Sequence, residues 1–205
     1  LGVPMGAPYF KWKSVLDKAD AHVFSSNFAL YSDVSRRIAN LLKEEAPDIE
    51  VYSVDESFVW LNSSAETFEK WAIEVRARIL KEVGVPVSVG IAPTKTLAKA
   101  ASEYAKKHLE TEGVQVIPSK DSKEFKRVLS WLEVGDVWGV GRALGPKLKA
   151  QGIYDAYSLS KVTPKWAKEQ MTSVGEKMLR ELNGEVWFKL NEGAHKDQQN
   201  MLVSR

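Results

Sequence analysis

The chain has 205 residues, 44% of them apolar, seven tryptophans and no cysteine. That is enough apolar material for one large or two small packed domains, and it excludes a disordered chain, a disulfide scaffold and any thiolate metal site. Net charge is only +2, so charge alone does not point to nucleic acid. No run approaches the roughly 18 apolar residues of a membrane span, and the opening LGVPMGAPYF lacks the basic and apolar blocks of a signal peptide.

Charge is unevenly distributed. Residues 43–70 set Lys43 and Lys70 against eight acids, whereas residues 95–107 set four lysines against Glu103 alone. An acidic segment followed by a basic one suits a metal-plus-phosphate site, but two solvated surfaces are the plainer reading.

Taken in chain order, residues 1–25 are rich in turns, with one short helix expected over PYFKWKSVLDKA. Ser26 or Asn27 caps a helix reaching Glu45, with Leu30, Val34, Ile38, Leu41 and Leu42 on one face and Pro47 as its stop. VYSV and SFVWL read as strands. Ser63 or Ser64 caps the next helix, whose apolar face is Phe68, Trp71, Ala72, Val75 and Ile79, and Gly84 ends it. VPVSVGIA (85–92) is a strand, Thr94 opens a helix ending near His108, and VQVIP (114–118) is a last strand. The order predicts an α+β unit, a sheet with helices on one face. From about residue 119 the pattern is all helical: DSKEFKRVLSWL, RALGPKLKAQG, YDAYSLSKV and TPKWAKEQMTSVGEKMLRELNG. Residues 191–205 begin as a polar linker. Trp60, Trp71, Trp131, Trp138 and Trp187 are expected in the core, and His108 and His195, which lack metal-ligand spacing, at the surface.

The feature that calls for chemistry is Asp55-Glu56 inside VYSVDESFVWL. In a regular strand neighbours point to opposite faces, so the two acids converge only if a hairpin turns there. At about 4 Å and an effective dielectric near 20 they repel by roughly 4 kcal/mol. Solvent, a shared proton or a divalent cation must offset that. Mg²⁺ favours such oxygen ligands and bridges them to phosphates. For an isolated Asp-Glu a solvated turn between strands is the plainer reading.

YSVDESFV resembles the Y-[ST]-[IV]-D-E-x-[FY] signature of the Y-family, lesion-bypass DNA polymerases. SVGIAPTKTLAKAASEYAKK (88–107) is similar to that family's S-x-G-I segment with its later lysine, and VWGVGRALGPKLKAQGI (137–153) to its thumb. MGAPYFK, FSSNFALYSDVSRRI, VWGVGR and the closing VSR place the likeness nearest the UmuC type, the catalytic subunit of bacterial DNA polymerase V.

The resemblance implies a polymerase palm (residues 26–118, an antiparallel-type sheet backed by helices), partial fingers (1–25), a small all-α thumb (119–190) and a linker (191–205) toward a further DNA-gripping domain. It implies template-directed nucleotidyl transfer from a dNTP to a primer 3′-hydroxyl with two Mg²⁺ ions. Asp55 and Glu56 match two metal-binding carboxylates, and Lys106 the lysine that reaches the triphosphate. On a helix from Thr94, Lys95, Lys99, Ser102 and Lys106 share a face; a solvated basic face is the plainer reading. Ser53 is expected to support the acids and Tyr52 to pack.

The family's third carboxylate, in a D-x-[ND]-S-F-[YF] motif, has no match in this chain. Neither do the aromatic that blocks a ribose 2′-hydroxyl nor the finger Tyr and Arg on the triphosphate. The chain is therefore expected to be a fragment that does not polymerise DNA by itself.

In the thumb, spacing alone suggests a helix–hairpin–helix: Gly139 and Gly141 permit a tight turn and close backbone approach. Arg142, Lys147 and Lys149 add charge for DNA phosphates, contacts that position without reading sequence. An ordinary helix–helix turn is the plainer alternative; a dinucleotide fingerprint is not, since no strand precedes and the third glycine is missing.

The resemblance also implies a UmuD′-type accessory subunit, a recombinase filament and a sliding clamp as partners, and a cytoplasmic setting without a membrane. Two other classes remain: a non-enzymatic DNA-binding protein using only the thumb, and a nucleotidyl cyclase, whose Gly-Gly-acid turn is replaced here by Ser53-Val54.

Overall fold

The computed structural model describes residues 1–4, 6–46, 48–61 and 65–190. The expected caps at Ser63 and Ser64, the stop at Pro47, His195 and the 191–205 linker lie outside the described residues.

Helix α1 spans Tyr9–Lys18 and α2 spans Phe28–Glu45. Asn27 caps α2, its side chain accepting from the Leu30 N–H and so satisfying one of the helix's free donors. Strands β1 (Ile49–Val51) and β2 (Ser57–Val59) pair antiparallel, Glu50 opposite Phe58. Helix α3 (Ala65–Val83) follows and ends at Gly84, whose φ of +82° is open to glycine at little cost. The expected face is the buried one: Ala72, Val75 and Ile79 are all under 4% exposed, and Val75 and Ile79 pack with Leu41 and Leu42 of α2.

Strand β3 (Val89–Ile91) and strand β4 (Val114–Val116) pair in parallel, joined through α4 (Lys95–Lys107). A parallel pair needs such a crossover, and α4 supplies it. The 85–92 strand is shorter than its apolar run suggested. The expected single antiparallel-type sheet is drawn as two separate pairs, β1–β2 and β3–β4, among the described residues. Between them runs a cleft of about 2010 Å³, walled by β2, β3 and the apolar faces of α2 and α3.

Helices α5 (Lys123–Trp131), α6 (Leu144–Ala150), α7 (Ala156–Ser160) and α8 (Pro164–Leu182) are the remaining helices among the described residues. Three of them are capped by side chains: Ser122, Asp155 and Thr163 each accept from the N–H three residues on. The larger core joins these helices to α4, through Leu97, Ala101, Ile117, Phe125, Leu129, Leu148, Leu159, Met178 and Leu182. So α4 packs one face on this all-α half and carries its lysines on the other.

The tryptophans depart from expectation. Trp60, Trp131 and Trp187 are 54%, 37% and 46% exposed, and Trp71 and Trp138 are half-buried. Leu, Val, Ala and Met fill the core instead, since an indole is rarely enclosed completely and its N–H needs a partner. His108 is likewise not a plain surface residue. Its ring stacks on Tyr104 at 3.7 Å with Trp131 edge-on.

Candidate active site at the hairpin tip

Tyr52–Glu56 forms the loop between β1 and β2. The N–H groups of Tyr52 and Ser53 both donate to the Glu56 carbonyl at 3.0 Å. This closes the turn tightly, so Asp55 and Glu56 leave the strand alternation and both stand exposed at the tip, on the wall of the cleft. The adjacent acids thus sit at a bend, as the hairpin reading required.

Their electrostatics differ. Asp55 Oδ1 accepts from the Ser53 hydroxyl at 2.7 Å, and the same Ser53 oxygen accepts from the Asp55 N–H at 3.3 Å. Glu56 Oε1 meets Lys99 Nζ at 2.5 Å. Ser53 supports the tip through this local ring of hydrogen bonds.

Helix α4 delivers its basic face because Gly90 lets it cross β3 closely. A Cβ at Gly90 would lie 2.2 Å from both the Ala98 carbonyl oxygen and the Ser102 nitrogen. Thr94 caps the helix at the Leu97 N–H. Lys99, Ser102 and Lys106 line the same cleft as Asp55 and Glu56. Lys106 is the more exposed of the two lysines, at 65%, with Glu103 at 4.0 Å as its ion-pair partner. Lys95 is engaged elsewhere: it forms an ion pair with Glu50 at 2.6 Å, both nearly buried, and donates to the Lys189 carbonyl at 2.9 Å. Its part is to bind α4 to β1.

Trp138 and Tyr52 enter the site in ways that spacing did not announce. The rings of Tyr52, Phe58, Trp138 and Phe188 form one cluster. Lys99 Nζ lies 5.3 Å from the Tyr52 ring centre and 5.8 Å from that of Trp138.

Glu181 was invisible in the sequence, where it reads as one more polar residue of a helix. It is fully buried. One carboxylate oxygen accepts from the Thr96 N–H and hydroxyl, and the other from the N–H groups of Trp187 and Phe188. The Thr94 hydroxyl donates to the Glu181 carbonyl.

In the Gly-Val-Gly segment, Gly139 has φ +93° and so needs glycine, whereas Gly141 does not; a Cβ there would meet open space. A 3-10 turn (Val134–Asp136) lies between α5 and the glycines, and α6 follows. Gly139, Gly141, Arg142 and Lys147 are exposed. Lys149 is engaged by Glu133 at 2.6 Å, a contact that holds the Glu133 carboxyl below its usual range and raises the Lys149 ammonium.

Asp55 and Glu56 present only oxygen donors, the chemistry of Mg²⁺ rather than of a softer ion. No third Asp, Glu or His joins them among the described residues, so the pair fits part of a Mg²⁺ site. No helix among these residues is long and apolar enough to cross a membrane.

A carboxylate-tipped hairpin facing a lysine-bearing helix, with a small helical unit behind it, belongs to a known class of fold. A DinB-family error-prone DNA polymerase from Sulfolobus solfataricus superposes with a TM-score of 0.73 at 25% identity, over 93% of this chain and 56% of that one. By sequence the chain belongs to the impB/mucB/samB family, which residues 1–103 match. Protein UmuC of Salmonella typhimurium is 40% identical over 97% of this chain. DNA polymerase IV of Saccharolobus solfataricus is 33% identical over 74% of it. The chain spans 47% and 42% of those two relatives, about half their length or less.

Proposed function

We propose that this chain is the palm-and-thumb portion of an error-prone, translesion DNA polymerase, whose whole protein transfers nucleotides from dNTPs to a primer 3′-hydroxyl. The observation that carries the reading is the meeting of Asp55 and Glu56 with Lys99, Ser102 and Lys106 in one cleft. Asp55 and Glu56 would hold Mg²⁺, which when bound lowers the pKa of an attacking hydroxyl and stabilises the charge on transferring phosphate. Lys106, exposed on the cleft wall, binds the triphosphate as a point charge. Gly139, Gly141, Arg142 and Lys147 seat the DNA backbone, which gives salt-sensitive, sequence-independent binding. Lys149 joins them only by leaving Glu133.

The cleft supports a second part of the reading, that the 205-residue chain does not polymerise alone. Strands β2 and β3 face it with edges unpaired among the described residues, and the buried Trp71 indole N–H on its wall has no acceptor there. A further strand bearing a third carboxylate would join the two sheets, complete the ligand set and supply an acceptor. An accessory subunit of the UmuD′ type, a recombinase filament, a sliding clamp and a cytoplasmic setting follow from the family likeness.

Primer extension tests both parts. The chain alone with Mg²⁺ is expected to extend no primer, while a protein of the relatives' full length extends one and loses this on Asp55→Ala or Glu56→Ala. Extension by the chain alone overturns the inactivity. Undiminished extension by the full-length alanine variants overturns the site. If the full-length protein binds DNA without extending a primer, the non-enzymatic reading replaces this one.

A further inference from the structure

We propose that Lys99 is a positioning residue for the carboxylate tip: an anchored cation that occupies Glu56 and must withdraw before a divalent ion takes that carboxylate. The inference rests on the reading of Asp55 and Glu56 as metal ligands.

The two acids are held differently. Asp55 is oriented by a neutral donor, the Ser53 hydroxyl. A neutral hydrogen bond leaves its negative charge intact for a cation. Glu56 is neutralised by a full positive charge at 2.5 Å. The tip therefore escapes the like-charge repulsion of adjacent carboxylates without any metal.

An exposed lysine–glutamate contact would ordinarily contribute little. Lys99 is not in that situation. Its side chain is only 21% exposed, and its ammonium lies against the faces of Tyr52 and Trp138. Those rings are fixed to each other by the Trp138 Nε1–Tyr52 Oη hydrogen bond at 3.1 Å. The ammonium is thus held beside Glu56 by the aromatic pair as well as by charge. Lys95, four residues earlier, is fully engaged by Glu50, so it does not exchange with Lys99.

A cation fixed beside one ligand lowers the affinity of the pair for a second cation. Removing it should therefore tighten metal binding, the opposite of what loss of a merely structural contact does. The probe is Mn²⁺ alone, followed by the electron paramagnetic resonance of the free ion, on the 205-residue chain. Lys99→Met and Lys99→Gln are both made, with folding checked by circular dichroism. Each is expected to bind Mn²⁺ about tenfold more tightly than wild type at low salt, with the gain shrinking as salt rises. Lys99→Arg keeps the charge and stays within about twofold of wild type, as does Lys123→Met on α5.

If neither neutral variant binds Mn²⁺ more tightly than wild type, the proposal is overturned, including where none of them binds it. If the gain survives when Glu56→Gln is added to Lys99→Met, the tightened site lies elsewhere and the proposal also falls. The metal reading has its own control. Wild-type Mn²⁺ binding that is unaffected by Asp55→Asn and Glu56→Gln overturns that reading, whereas loss of binding in those variants with no gain in Lys99→Met overturns the role of Lys99 alone.

Discussion

The indole Nε1 of Trp138 donates to the phenolic oxygen of Tyr52 at 3.1 Å, and their rings meet edge to face at 5.6 Å and 88°. One residue opens the hairpin loop that carries Asp55 and Glu56. The other immediately precedes Gly139 in the turn proposed to seat DNA. The contact joins the two halves of the proposed machinery directly. Tyr52→Phe, which removes only the hydrogen bond, is expected to cost about 1 kcal/mol. Trp138→Ala is expected to cost roughly 2 kcal/mol, because the ring is only half-buried. A double-mutant cycle from urea unfolding should give a coupling of about 1 kcal/mol, and a coupling of zero would mean that the rings do not meet in solution.

Glu181 brings three segments together: the first turn of α4, the end of α8 and the backbone of residues 187–188. Its alanine variant leaves the N–H groups of Thr96, Trp187 and Phe188 without their acceptor, and should cost roughly 3 kcal/mol. Glu181→Gln keeps one carbonyl oxygen and should lose about half as much. Hydrogen exchange gives a local check, since the amides of Trp187 and Phe188 are expected to lose protection in both variants while that of Phe125 in α5 does not.

The Glu133–Lys149 pair predicts a pH dependence with a definite sign. The side-chain hydrogen bond from Lys149, then its charge, holds the Glu133 carboxyl below its unfolded value. The stability it contributes is therefore present above the ordinary carboxylate range and is lost as pH falls through the depressed folded value. Lys149 is raised by the same partner, so its contribution is present below the ordinary lysine range and lost as pH rises through the raised value. Carbon-detected NMR titration should show Glu133 titrating below a free glutamate and returning to the usual range in Lys149→Met. Both groups are exposed and the contribution to stability is small.

Thr172 divides α8 with φ 73° and ψ 178°, a conformation that a threonine side chain resists. Thr172→Gly should relieve that strain and, after the greater flexibility of the unfolded chain is subtracted, stabilise the protein by about 1 kcal/mol. An upward shift of the thermal midpoint checks it. A fall would mean that the threonine side chain makes a contribution larger than the strain.

The geometry of the tip was largely legible in the residues. Two strand-like runs, VYSV and SFVWL, flanking Asp55-Glu56 made a hairpin the way for the acids to converge, and the register Val51 opposite Ser57 leaves both acids in its loop. Lys99 and Lys106 were placed on one face by helical spacing alone. The expected capping residues Asn27 and Thr94 stand where local hydrogen bonding put them. These are short-range matters, settled by backbone geometry within a few residues.

What each side chain meets was settled only by the fold. Spacing gave Lys95 and Lys99 equal standing, yet packing of α4 over Gly90 sends one to Glu50 and the other to Glu56. Glu181 became a buried acceptor because residues 96 and 187–188 converge on it from either side. Trp60, Trp131 and Trp187 went to exposed positions and Trp71 and Trp138 are only half-buried, since smaller aliphatic side chains already close the space between helices. The sequence determined which local elements form and where the carboxylates turn outward, because those depend on neighbours along the chain. Tertiary structure decided which charges pair and which aromatic rings enclose Lys99, because partners 39 to 94 residues apart meet only when the core has closed.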